Sequence, residues 1–220
     1  MAMSQIAGAA TLLYRSPAPR ALALCLLAVA VAIIAVMILH RLLILLHDPL
    51  IEEVRRSALL LKKVECAALA GLCCVLLHYI RGVRDNLAPL GVSDAAWPAA
   101  TAAVLWLLPV INLLFAALLL REAWQASDPA RAQSLFVNWR QSAASSLPFV
   151  WAALFLAALG LVIVPWADAG LAGSLLLSAV GEAVMVAAML VLIVLVLRLA
   201  LRQDRRAARR DVGALPAFGR

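Results

Sequence analysis

Five long apolar stretches dominate the pattern of hydrophobic and polar positions along the chain. A helix needs about 20 apolar residues to cross roughly 30 Å of hydrocarbon, and none of the stretches alternates like a transmembrane β-strand. We therefore predict an all-α, polytopic transmembrane bundle of about five membrane-spanning helices. The predicted spans are Ala21–Leu39 (extending as far as Leu46), Val64–Ile80, Trp97–Leu120, Leu147–Trp166 and Leu171–Leu197.

Composition supports a membrane protein. Of the 220 residues, 66% are hydrophobic and only 14% are charged, whereas soluble domains are about half apolar and about a quarter charged. The first stretch is too long for the apolar core of a signal peptide, so we keep it as a span. We divide the chain into an N-terminal tail (1–20), a transmembrane helical domain (21–201) and a basic cytoplasmic tail (202–220).

The distribution of charge predicts the orientation. A net charge of +7 would suggest nucleic-acid binding in a soluble protein, but the positive-inside rule explains it better here. A cytoplasmic C-terminus places all 19 Lys and Arg residues inside except Arg15, Arg20, Arg81 and Arg84. With five spans, we predict that the N-terminus is outside and the C-terminus inside.

The third predicted span, within LWLLPVINLLFAALLLREAW, contains two residues that are unusual in hydrocarbon. Pro109 lacks the N–H that would bond to the Leu105 carbonyl, and so it opens the helix at that turn. Asn112 brings an amide close to the same face. Because polar groups in lipid must find partners within the protein, we expect this face to point into the bundle.

The last predicted span carries a carboxyl group. Glu182 lies about 17 Å into this span, at a depth similar to that of Pro109, with Ser178 one turn away. A mid-membrane carboxylate costs about 2.5 kcal/mol or more, so it must be protonated or paired. We predict a site in which neutral Glu182 donates to Asn112 or to the freed Leu105 carbonyl. This site either senses protons or ions, or it is a structural one, in which a buried hydrogen bond fixes the register of the two helices. Its members are Pro109, Asn112, Ser178 and Glu182.

A helix start is predicted in the connection between the first two spans. Asp48-Pro49 reads as an N-cap followed by a proline in the first turn. The helix would then continue into the second span. Its acidic and basic residues would face each other at helical spacing: Glu52 and Glu53 with Arg55 and Arg56.

Two segments, HYIRGVRDNLAPLG and WLLPVINLLFAALLLREAWQASDP, resemble the bacterial multi-pass membrane family called domain of unknown function 4328. The resemblance covers roughly residues 60–205. It implies a multi-pass protein of the bacterial cytoplasmic (inner) membrane and no established activity. The matching positions are Asn86, Gly91, Pro109, Asn112, Glu122 and Trp124, with Trp139 and Arg202-Gln203 as further family features.

Glu122 lies where the third predicted span leaves the membrane. The adjacent Arg121 points elsewhere, because neighbouring residues diverge on a helix. We predict either a partner among Arg140, Arg198 and Arg202 or an exposed acid at the interface.

The tail LRLALRQDRRAARRD predicts a basic stripe that covers less than half of a helix. This stripe suits a cytoplasmic terminus, which accounts for it without further function, and it could also contact anionic lipid headgroups. We expect no nucleic-acid partner, because one short stripe without aromatic residues is a poor match. The arginines are Arg198, Arg202, Arg205, Arg206, Arg209 and Arg210.

No catalytic constellation stands out, and Cys74 with His78 supplies too few ligands for a zinc site. We therefore expect no enzyme, no metal and no cofactor. The favoured interpretation is a non-catalytic scaffold or accessory membrane module that contacts the lipid bilayer and either a membrane-protein partner or a second copy of itself. The alternative is a small transporter or channel that uses Asn112 and Glu182.

Overall fold

The computed structural model describes residues 14–92, 109–131, 139–163 and 171–214. Within these ranges the chain is all-helical, which confirms the all-α part of the prediction for these residues. Short 3-10 turns lie at Pro129–Arg131 and Trp139–Gln141. The α-helices are α1 (Ala18–His47), α2 (Glu52–Asp85), α3 (Pro109–Ala126), α4 (Leu147–Ile163) and α5 (Leu171–Ala214).

Two of the described helices are long and apolar enough to cross a membrane: α1 and the Gly173–Arg209 part of α5. The outer face of α1 is as apolar as its inner face. Leu22, Leu26 and Ile33 are 55–64% exposed, whereas Leu24 and Val31 are fully buried. A helix that is apolar on all sides is typical of a membrane span.

The helix α1 packs antiparallel to α5. Tyr14, just before α1, donates a 2.7 Å hydrogen bond to Asp204 near the end of α5. Ile38 and Leu42, late in α1, pack with Ala179 near the start of α5. Small side chains let helices approach closely in membranes, and buried alanines recur at every seventh position of α1: Ala21, Ala28 and Ala35.

The helices α2 and α5 run in the same direction. The Tyr79 hydroxyl donates to the Val196 carbonyl at 3.0 Å, 117 positions further along the chain. The same offset of 117 separates Asn86 from Gln203. A third contact, between Lys62 and Glu182, has an offset of 120. The three contacts therefore hold the two helices in one register.

Both ends of the described helical domain lie at one end of the bundle, which we call the cap end. It contains the start of α1 and the end of α5, joined by Tyr14 and Asp204. The predicted topology, with the N-terminus outside and the C-terminus inside, is therefore wrong, because segments joined by a hydrogen bond cannot lie on opposite sides of a bilayer. The opposite end, where α1 connects to α2, is called the loop end.

Two predicted boundaries also change. The helix α2 begins at Glu52, and Asp48 is the C-cap residue of α1, whose carboxylate accepts the Leu50 N–H at 3.1 Å. The predicted pairing along the first turns is confirmed for Glu52, which lies 3.0 Å from Arg56 and 3.9 Å from Arg55. At the other terminus, α5 is continuous across the predicted 201/202 boundary.

Candidate functional site

Several polar side chains are buried at the cap end, and we call four of them the polar cap: Asn86, Ser127, Gln203 and Arg206. Asn86 directly follows α2. Its Oδ1 accepts the Arg15 N–H at 3.2 Å, and its Nδ2 donates to the Arg15 carbonyl at 2.7 Å and to Gln203 Oε1 at 3.2 Å. One amide therefore joins the segment before α1, the end of α2, and α5.

Gln203 and Arg206 extend the polar cap to the ends of other elements. Gln203 Nε2 donates to Ser127 Oγ at 3.2 Å. Arg206, which is 5% exposed, donates to the carbonyls of Leu90, at 3.2 Å, and Ala126. Carbonyls at helix ends lack partners within the helix. The long side chains of α5 supply those partners after α2 and at the end of α3.

Tyr14 and Ser16 close the cap end on its outer side. Both hydroxyls donate to the Asp204 carboxylate, at 2.7 Å and 3.3 Å. Partial burial, together with the nearby Asp204 carboxylate, raises the pKa of Tyr14 above its ordinary value. The phenol therefore stays protonated and remains a donor over the physiological pH range.

Glu122 also lies at the cap end. Its Oε2 is 3.2 Å from Arg84 of α2, a residue that was not among the predicted partners. The alternative prediction of an exposed acid is wrong, because Glu122 is only 9% exposed. Arg84 was overlooked because the predicted topology placed it on the opposite side of the membrane.

Four of the residues that carry the family resemblance, Asn86, Gly91, Glu122 and Trp124, lie together at the cap end, whereas Pro109 and Asn112 lie at the start of α3. At the cap end Asn86 bonds to Arg15 and Gln203, and Glu122 pairs with Arg84. Gly91, with φ of 81°, closes the turn after α2. The Trp124 carbonyl accepts the Arg202 Nε–H at 3.0 Å. These four positions of the pattern therefore belong to one structural region rather than to two sides of a membrane.

The predicted stripe of arginines divides into inward and outward groups. Arg206 is buried in the polar cap, so the prediction that it contacts headgroups is wrong. Arg202 lies 3.2 Å from Asp128 Oδ1 and 5.1 Å from the centroid of the Trp124 ring. Of the outward residues, Arg209 donates to the Pro129 carbonyl at 3.2 Å, whereas Arg198 and Arg205 are exposed. The Arg210 side chain lies outside the described residues.

A second polar group, which we call the charged cluster, lies toward the loop end and consists of the half-buried Lys62 with the buried Glu65 and Glu182. Lys62 Nζ bonds to the Glu182 carboxylate and lies 3.0 Å from Glu65 Oε2. Glu182 is 0% exposed and Glu65 is 3% exposed. Glu182 precedes Arg198 by about 24 Å of helix, so it lies within the apolar length of α5.

The charged cluster has more negative than positive groups. Two carboxylates face one ammonium, and among the described residues Glu65 Oε1 and Glu182 Oε2 have no hydrogen-bond partner. A buried charge without compensation is costly. The arrangement is therefore chemically suited to taking up one proton or one monovalent cation.

The predicted polar site around Glu182 is only partly described. Its buried carboxylate is paired, as predicted, but with Lys62 of α2; the half-buried Ser178 is not its hydrogen-bond partner. Pro109 is the first described residue of α3, and its side chain, that of Asn112 and the whole of Leu105 lie outside the described residues. The proposed contact between Glu182 and Asn112 stays a prediction.

Sequence reasoning missed Lys62 because it treated this residue as part of a cytoplasmic loop. A usable signal was present, since the helix beginning near Asp48 was predicted to continue into the second span. Lys62 and Glu65 are three residues apart in such a helix, more than two turns past its acidic start. Within the described ranges, His, Cys, Asp and Glu residues form no group of three or more that could hold a metal ion.

No family model, no curated protein and no solved structure matches this chain. The resemblance to domain of unknown function 4328 therefore stays a prediction.

Proposed function

We propose that this chain is a multi-pass helical protein of the bacterial cytoplasmic membrane that acts without catalysis, as a scaffold or accessory module. The polar cap is the observation that best supports this proposal. Its buried side chains bond to one another and to backbone atoms at the ends of several helices. Hydrogen bonds of this kind fix the arrangement of helices, and so they present a constant surface to a partner.

In this proposal the cap end faces the cytoplasm. Arg15, Arg20, Arg81 and Arg84 belong to this end, together with the arginines of α5. The positive-inside rule favours the cytoplasm for the more basic end. The start of α1 and the end of α5 are then both cytoplasmic, and the chain crosses the membrane an even number of times.

Reporter fusions test this orientation. Green fluorescent protein fused to either terminus should fluoresce, because it folds in the cytoplasm. Alkaline phosphatase inserted between His47 and Glu52 should be active, because that enzyme needs an oxidising exterior. Active phosphatase at the N-terminus would contradict the orientation, and release of the chain by alkaline carbonate would contradict membrane insertion.

The scaffold role is tested by extracting the tagged chain in native nanodiscs at low expression and identifying the co-purifying proteins by mass spectrometry. A stoichiometric partner, or a second copy of the chain, should be recovered from both the wild type and Glu182→Gln. A tagged, unrelated membrane protein at the same expression level is the control. A monodisperse single chain without a partner would contradict the role.

A small transporter is the second candidate, and the charged cluster is the observation that favours it. One ammonium between two buried carboxylates can exchange with a proton or a cation, and ionisable groups within the membrane often lie on ion or proton pathways. In this function the Glu182 carboxylate binds and releases the ion. The Lys62 ammonium competes with that ion for the carboxylate.

Proteoliposomes with an imposed pH or sodium gradient separate the two candidates. A transporter should dissipate the gradient in the wild type and fail to do so in Glu182→Gln. Glu53→Gln, an exposed residue at the loop end, is the matched control and should behave like the wild type. A gradient equally stable in the wild type and in empty liposomes would exclude proton and sodium transport.

A further inference from the structure

A cavity of about 360 Å³ lies beside α5 at the cap end. It is separate from the polar cap, which faces the interior. Its wall is formed by the end of α3, the following turn and one face of α5. The lining residues are Trp124, Pro129, Arg198, Leu201, Arg202 and Arg205.

The cavity has an excess of positive charge. Arg202 is compensated by Asp128, at 3.2 Å. Arg198 and Arg205 are exposed, and the described residues place no acidic group within salt-bridge distance of either. The two are seven positions apart on α5, which puts them on the same face, about 10 Å apart along the axis. The cavity therefore offers two uncompensated guanidinium groups to an anion.

An apolar track leads from the cavity along the outer surface of α5. Val194, Leu197 and Leu201 are 41%, 42% and 54% exposed. Their spacing puts them on the face that also carries Arg198 and Arg205. The track continues toward the middle of the membrane span, in the direction that an acyl chain takes from a headgroup.

We infer that this cavity binds one anionic glycerophospholipid, with its phosphate between Arg198 and Arg205 and one acyl chain along Val194, Leu197 and Leu201. Trp124 lies where the headgroup meets the hydrocarbon, a position that indole rings favour. A soluble phosphate would engage the arginines but would leave the apolar track uncovered, and therefore a lipid fits the combination better. The inference rests on the proposed membrane location.

Native mass spectrometry of the detergent-solubilised chain tests the inference, with phosphatidylglycerol and phosphatidylcholine as probes. The wild type should retain one phosphatidylglycerol in preference to phosphatidylcholine. Since each arginine near an anionic headgroup strengthens binding roughly fivefold, Arg198→Gln/Arg205→Gln should bind phosphatidylglycerol roughly thirtyfold more weakly. Arg55→Gln/Arg56→Gln, exposed at the loop end, removes the same charge and should keep the wild-type affinity.

Three outcomes would overturn the inference: equal retention of both lipids by the wild type, equal weakening in the two double variants, or displacement of the lipid by millimolar inorganic phosphate. The last outcome would assign the arginines to a soluble anion. None of them depends on the scaffold role or on membrane orientation, because lipid binding is measured in micelles. The proposed function is tested by separate measurements: carbonate extraction tests membrane insertion, and co-purification tests the scaffold role.

Discussion

The side-chain amide of Asn86 donates to the side-chain amide oxygen of Gln203 at 3.2 Å, in a position where neither residue is more than 3% exposed. Asn86 ends α2 and Gln203 lies near the end of α5, so the bond joins two helices at their cytoplasmic ends in the proposed orientation. Asn86 also bonds to both backbone groups of Arg15. The stability of the cap end should therefore depend strongly on Asn86.

We expect Asn86→Ala to lower the free energy of unfolding by about 3 kcal/mol, because it leaves several buried donors and acceptors without partners. Thermal unfolding in a mild detergent measures the change. Gln141→Ala, an exposed amide on the connection before α4, is the control and should change stability by less than about 0.5 kcal/mol. Equal effects of the two substitutions would mean that the polar cap does not stabilise the bundle.

The charged cluster should respond differently to the loss of each partner. Glu182→Gln leaves Lys62 paired with Glu65 at 3.0 Å, so we expect a loss of about 1 kcal/mol or less. Lys62→Met leaves two buried carboxylates without a counter-charge, and we expect a loss of about 3 kcal/mol. Thermal unfolding of the two variants at one neutral pH provides the comparison.

Acidification should partly rescue Lys62→Met, because protonation removes the uncompensated negative charges. The stability of this variant should rise as the pH falls, whereas Glu182→Gln should show a weaker dependence. A pH-independent defect in Lys62→Met would indicate that the lysine stabilises the bundle by packing its aliphatic chain rather than by its charge.

Gly91 should not tolerate a side chain. Its φ of 81° lies in the left-handed region, and we expect Gly91→Ala to destabilise the turn after α2 by about 1 kcal/mol. Gly160 in α4 is the contrasting control, because a Cβ at this position would meet no atom within 4 Å beyond its chain neighbours and the backbone of its own helix. Gly160→Ala should leave stability unchanged or raise it by up to about 1 kcal/mol. Thermal unfolding should show a loss of stability for Gly91→Ala and no loss for Gly160→Ala.

Tyr14 should make the cap end sensitive to alkaline pH. The pKa of its hydroxyl is raised in the folded state by burial and by Asp204, so the bond contributes fully below the unfolded-state value of about 10. Above that pH the unfolded chain releases the proton first, and stability falls. Tyr14→Phe should be less stable than the wild type by about 1 kcal/mol at neutral pH. The difference should narrow in unfolding curves measured above about pH 10; a difference that is constant with pH would contradict the linkage.

Apolar patterning predicted the helical class and the approximate position of most described helices, because lipid-facing and core positions are both apolar in such proteins. It also predicted that Glu182 must be protonated or paired. The partners of Glu182 could not be derived in the same way. Lys62 contacts it only because α2 and α5 are parallel, a relationship that composition does not encode.

The missed contacts at the cap end share one cause. Charge counting with five antiparallel spans put Arg84 and Asn86 outside and Glu122 and Gln203 inside. When the direction of one predicted crossing is wrong, every later segment is assigned to the wrong side of the membrane. The Arg84–Glu122 pair shows that α2 and α3 both end at the cap end, which strict alternation of five spans does not allow.

The matching offsets between α2 and α5 have a mechanical consequence. Tyr79 and Asn86 each reach the residue 117 positions later, and Lys62 locks the same pair of helices about 26 Å away from Tyr79 along α2. Sliding one helix past the other by a single turn, about 5.4 Å, would break all three contacts together. In the proposed membrane location, a pulling force applied along the membrane normal should therefore extract these two helices from the bilayer in one step, as a single unit.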